Sequence, residues 1–69
     1  MDKKFKLFQT VVLNSNEYKQ YDVKKGDIGT ILDIYMDGHY EVEFCDENGA
    51  TKLMQAFSET ELLCKEKNN

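Results

Sequence analysis

Three carboxylates, Asp33, Glu41 and Glu43, are the groups whose type and spacing most suggest chemistry in this sequence. Glu41 and Glu43 alternate with Tyr40, Val42 and Phe44, so they share one face of an extended chain. Asp33 lies in the run before them, placed to meet them across a hairpin. Facing acids do general acid–base work when a cleft separates their pKa values. On an open face they instead speed and orient the approach of a basic partner. Like charges directly opposite on a sheet are destabilising, so such a pair is expected to serve a partner. Tyr35 and Met54 would add apolar anchors to this face, and Asp46 and Glu47 further charge.

Other chemistries are poorly supplied. Two cysteines, Cys45 and Cys64, and one histidine, His39, fall short of the four ligands of a structural zinc site and lack its spacing. Gly26 and Gly29 resemble a phosphate loop only superficially. The further glycines and the Lys-Ser/Thr ending are missing, and a strand rather than a helix follows. The glycines are better explained as backbone geometry where a loop turns into a strand. Lys3, Lys4, Lys6, Lys24 and Lys25, with Phe5, Phe8, Tyr18 and Tyr21, could follow phosphates and stack bases. Against that stand a net charge of −4 and the absence of arginine, the usual bidentate reader of phosphate and guanine. No catalytic residue, cofactor or metal is therefore expected.

The elements that must position these residues follow from period and punctuation. Phe5–Leu13 is predicted as strand one, Ile28–Tyr35 as strand two, Tyr40–Cys45 as strand three and Thr51–Phe57 as strand four. A short last strand is predicted at Leu62–Lys65, and residues 66–69 as a disordered tail. Asn14–Lys25 reads as a long loop packed by Tyr18, Tyr21 or Val23. Ser58 and Glu61 have the spacing of a capping box, which predicts one 3-10 turn before the last strand.

Turn chemistry predicts the register. Asn48-Gly49 favours a two-residue turn, with Glu47 opposite Ala50, Phe44 opposite Leu53 and Tyr40 opposite Phe57. Strand four would then place Met54 opposite Glu43 and Ala56 opposite Glu41. Met36-Asp37-Gly38 reads as a three-residue loop with Gly38 left-handed. It pairs Ile34 with Tyr40 and Leu32 with Val42 inside, Asp33 with Glu41 outside, and Ile31 with Glu43. Ile31 then needs a bulge near Gly29-Thr30 to reach the core.

Sixty-nine residues make one domain, predicted over 1–65. Five strands with a long first loop and a 3-10 turn before the last describe an all-β, SH3-like barrel. A small filled barrel has no room for a catalytic cleft, so an enzyme is not expected. Charge is unevenly laid out: residues 1–27 carry a net +2 and residues 28–63 a net −7. No signal peptide or membrane-spanning run is read, which points to the cytoplasm, with both thiols reduced and partly buried.

Gly26-Asp27-Ile28-Gly29-Thr30-Ile31, followed by Tyr40-Glu41-Val42-Glu43-Phe44, resembles the glycine strand of KOW and Tudor domains. The wider pattern FKLFQTVVL, KKGDIGTILDIY, DGHYEVEF, ENG and SETEL resembles an uncharacterised family of short bacterial single-domain barrels. That resemblance implies a fold and no catalytic residues. The function expected is a non-catalytic, acidic protein-binding module that masks a basic surface of a partner protein. An inhibitor, antitoxin or immunity protein would act in this way, as a monomer or weak dimer. The alternatives are a KOW-like accessory of ribosome or polymerase that binds RNA, and a small accessory subunit of an enzyme complex.

Overall fold

The computed structural model describes residues 3–65. They form β1 (Thr10–Leu13), β2 (Ile28–Ile34), β3 (Tyr40–Cys45), β4 (Thr51–Phe57) and β5 (Leu62–Cys64). Two 3-10 turns, Lys19–Tyr21 and Glu59–Glu61, complete the regular structure. The expected tail, 66–69, lies outside the described residues. All strand pairs are antiparallel, in one sheet of order β4-β3-β2-β1-β5. Among the described residues no ladder joins β4 to β5, so the chain is all-β with an open sheet. The sheet still curls on its apolar face: Leu53 and Phe57 of β4 share one buried cluster with Leu62 of β5.

Alternation builds that cluster. Tyr40, Val42 and Phe44 of β3 are buried, while Glu41 and Glu43 between them are half-exposed. Val11, Leu13, Ile31, Phe5 and Val23 complete the interior. Phe44 meets Phe57 edge-on at 5.5 Å between ring centres, and Phe5 meets Tyr40 at 5.1 Å. Such pairs add to the burial of apolar area that drives folding.

The predicted register holds through most of the sheet. Asp33 lies opposite Glu41, Ile34 opposite Tyr40, Phe44 opposite Leu53 and Tyr40 opposite Phe57. Gly38 is left-handed at φ 91° and closes the three-residue loop, with the Tyr35 N–H donating to the His39 carbonyl at 2.9 Å. The bulge falls at Leu32 rather than near Gly29-Thr30, so Ile31 pairs with Val42 and Thr30, not Ile31, faces Glu43. A bulge there gives Ile31 its buried place while leaving Asp33 outside.

The second hairpin differs from the expected two-residue turn. The Asp46 N–H donates to the Ala50 carbonyl at 2.8 Å and the Gly49 N–H to the Asp46 carbonyl at 3.0 Å, which leaves Glu47, Asn48 and Gly49 in the loop. Glu47 therefore does not pair with Ala50. Gly49 takes φ 85°, and Asn48 is not among the residues with positive φ, as a type I′ turn would require. An irregularity between Phe44 and Cys45 restores the ladder to the expected partners.

Strand one is shorter than its composition suggests. Residues 5–9 leave the strand, and Phe8 takes φ 65°. The cause is long-range: the Tyr40 hydroxyl accepts the Lys4 N–H at 3.1 Å and the Phe5 N–H at 3.4 Å, which draws Phe5 into the core. The other ends differ by a residue, since Tyr35 and Lys65 lie just beyond their strands.

The 14–25 loop is ordered by its side chains. Val23 is buried and Tyr18 packs edge-on against Phe57 at 5.0 Å. Asp22 is left-handed at φ 61°. The Tyr18 hydroxyl donates to the Glu61 carboxylate, and the Ser58 N–H donates to the same carboxylate at 2.9 Å, as its capping box requires. Burial, followed by the hydrogen bond and charge of Glu61, pushes Tyr18 up to about 12. Burial pulls Glu61 upward but is outweighed by hydrogen bonds from Tyr18 and Ser58, so its carboxyl lies below the usual range.

These shifts set a pH dependence. Tyr18 holds its proton more tightly when folded, so its contribution is complete below about pH 10 and is lost as pH rises toward about 12. Glu61 contributes above its ordinary value and loses that contribution as pH falls through its lowered folded value. Between pH 9 and 12 the melting temperature of the native protein should therefore fall more steeply than that of Tyr18→Phe. Parallel curves in paired thermal melts would contradict the assignment.

Candidate functional site

The outward face of β2, β3 and β4 carries most of the predicted residues. Asp33 is exposed and lies opposite Glu41, and Glu41 lies opposite Ala56. Glu43 is flanked by Thr30 on one side and Met54 on the other. The Tyr35 hydroxyl donates to the Glu41 carboxylate at 2.7 Å. That hydrogen bond, and then the negative surroundings, raise the Tyr35 hydroxyl above its ordinary range. The Thr51 hydroxyl donates to Glu43. Among the described residues no lysine pairs with Asp33, Glu41 or Glu43. Three uncompensated carboxylates thus sit on one face beside Met54, which is 51 % exposed.

Asp46 and Glu47 do not join this group. They lie just past the end of β3, Asp46 about 10 Å along the chain from Glu43 and about 17 Å from Glu41 at the usual rise per residue. The Asp46 carboxylate turns back into its own hairpin, accepting the Asn48 N–H at 2.8 Å and the Ala50 N–H at 2.9 Å. Both residues line a shallow depression of about 400 Å³ with Asp22, Asp27 and Lys52. Lys52 is held there, its Nζ donating to the Asp22 carbonyl at 2.6 Å. Sequence reasoning missed Asp22 and Asp27, because no periodic signal reports where the 14–25 loop docks.

A family model described as a domain of unknown function, DUF4926, matches residues 7–64. The chain belongs to that family. No curated protein and no solved structure matches it. The matched span of this DUF4926 domain takes in Asp33, Tyr35, Glu41, Glu43, Asp46, Glu47 and Met54.

Both thiols are free and exposed rather than partly buried. Local burial, followed by the charges of Glu43 and Asp46, pushes the Cys45 thiol up, which makes it a poor nucleophile at neutral pH. His39 sits exposed at the first hairpin, its Nδ1 3.2 Å from the Asp37 carboxylate. The His39 backbone N–H is the main cause that holds the Asp37 carboxyl below its usual range. Among the described residues no three His, Cys, Asp or Glu side chains converge to hold a metal ion.

A second surface appears at the N-terminal end. The Phe8 N–H donates to the Ile31 carbonyl at 2.7 Å, and Leu7 and Phe8 project from the turn, 50 % and 72 % exposed. Lys3, Lys4 and Lys6, all exposed, precede them in the chain. A bulky residue at positive φ is strained by about 1–2 kcal/mol, so this exposed phenylalanine is held by its surroundings. The aromatic and lysine types were visible in the sequence, but the turn that presents Phe8 was hidden by its strand-like composition.

Proposed function

We propose that this DUF4926 domain is a non-catalytic, acidic protein-binding module that masks a basic surface of a partner protein. A small inhibitor, antitoxin or immunity protein acts in this way. The observation that carries the reading is the row of uncompensated carboxylates Asp33, Glu41 and Glu43 beside exposed Met54 and Tyr35. Complementary charge of this kind raises association rates and fixes orientation. Asp46 and Glu47 would contribute at the edge of the contact. The long loop after β1, the two tight hairpins and the 3-10 turn before β5 support an SH3-like module of the KOW and Tudor type, and its proposed setting is the cytoplasm of a bacterium.

The test is capture of the partner from the native host at low salt, followed by affinity measurements on Glu41→Lys/Glu43→Lys. The double reversal should weaken binding at least tenfold, chiefly through the association rate, and should remove its salt dependence. Unchanged affinity with a folded variant would overturn the reading.

The exposed Phe8 beside Lys3, Lys4 and Lys6 favours a second reading, an RNA-binding accessory of ribosome or polymerase. Phe8 would stack a base and the lysines would follow phosphates. RNA affinity that falls steeply with salt and is lost in Phe8→Ala would establish it. No RNA binding at low salt would remove it.

A further inference from the structure

We infer that the open edge of β4 takes an extended, lysine- or arginine-rich segment of the partner as an added strand. The inference rests on the protein-binding reading above and names how that partner docks. β4 is seven residues long and lies at one end of the sheet, whereas β5 at the other end has three. Short edge strands, prolines and exposed edge lysines are the usual protection against strand addition. β4 has no proline, and its one charged residue, Lys52, is tied back to Asp22.

The backbone of that edge can be assigned. The Tyr35 N–H bonds to the His39 carbonyl, so Glu41 and Glu43 turn their backbone groups toward β2. Tyr40, Val42 and Phe44 then face β4, bonding Phe57, Gln55 and Leu53. The N–H and C=O of Met54 and Ala56 are left pointing to the open edge. The 14–25 loop reaches β4 at the Phe57 and Lys52 side chains, and among the described residues it makes no backbone–backbone hydrogen bond to the strand.

Charge selects the occupant. An added strand would lie about 10 Å from β3, a gap that a lysine and a glutamate side chain span together. Between them stand Met54 and Ala56, which carry no charge. Basic side chains of an added strand would thus reach Glu43 and Glu41. A second copy is the poorer occupant, because pairing two β4 edges would join chains of net charge −4 and bring their glutamates toward each other. Main-chain pairing would supply affinity and the alternate basic residues specificity, as in other strand-addition complexes.

The probe is a nonapeptide of alternating lysine and valine, added at low salt to the full isotopically labelled chain. Amide exchange of Met54 and Ala56 should slow at least tenfold at saturation. Met54→Pro removes an outward N–H as well as the side chain without breaking the β3 ladder, and should bind at least tenfold more weakly than Met54→Ala, which removes the side chain alone. A peptide N-methylated along the edge that faces β4 makes the same test without altering the protein, and should bind at least tenfold more weakly. If Glu41→Lys/Glu43→Lys weakens binding but Met54→Pro and N-methylation do not, the acidic face stands and the edge proposal falls. If none of them matters, both fall. Equal binding of an alternating glutamate–valine peptide, or a peptide-free dimer that Met54→Pro dissociates, would also overturn the proposal.

Discussion

Phe57→Ala should destabilise the chain by about 3–5 kcal/mol, a large share of its stability. The ring is fully buried, closes on Phe44 and Tyr18 from two sides, and ties β4 to the long loop. Truncating a buried phenylalanine typically costs about 3–5 kcal/mol, because the lost transfer energy is joined by a cavity. A 69-residue domain has roughly 3–10 kcal/mol in total at the usual stability per residue. The loss takes a large part of that margin, since small domains bury a limited core. Urea melts followed by circular dichroism should show a clear fall of the midpoint toward zero denaturant. A cooperative transition within 1 kcal/mol of the native protein would mean that the cluster is not the centre of the fold.

Gly29→Ala should destabilise by about 1–3 kcal/mol through overpacking. Gly29 faces Phe44 across the β2–β3 ladder. A Cβ placed there would lie 2.8 Å from Phe44 Cε1, 2.8 Å from Val42 Cγ1 and 3.0 Å from the Glu43 carbonyl oxygen. Both side chains are buried and short of rotatable bonds, and the carbonyl belongs to the central ladder. Gly29→Val should be worse still, despite its better strand propensity, since packing outweighs propensity in a filled interior. Matched denaturant midpoints for Gly29→Ala and the native protein would show that the sheet yields more readily than a close-packed core should.

Gly29 marks a boundary of what sequence reveals. Its position beside a β-branched run indicates a bend or close approach, but the atoms it must clear come from β3. Phe5 is similar. FKLFQTVVL reads as one strand on composition, yet the Tyr40 hydroxyl captures the backbone at Lys4 and Phe5, and the strand begins only at Thr10. At the site, facing of Asp33 with Glu41 follows from a three-residue loop and period-two alternation. The pairing of Tyr35 with Glu41, the loss of Asp46 to its own turn and the projection of Phe8 do not.

The sequence alone determined the features whose causes lie within a few residues. These are the bounds of β3 and β4, the left-handed Gly38, the capping box of Ser58 with Glu61, and the faces on which apolar and acidic residues fall. Steric limits on the backbone and local hydrogen bonds act over that range. Tertiary structure decided where the bulge falls, how the 14–25 loop docks, which thiols and carboxylates stay exposed, and which strand keeps a free edge. The docking of that loop depends on contacts between residues 30 or more positions apart, such as Lys52 with Asp22 and Tyr18 with Glu61. The reason is packing: an interior filled to near-crystalline density admits few arrangements, and the choice among them belongs to the whole chain.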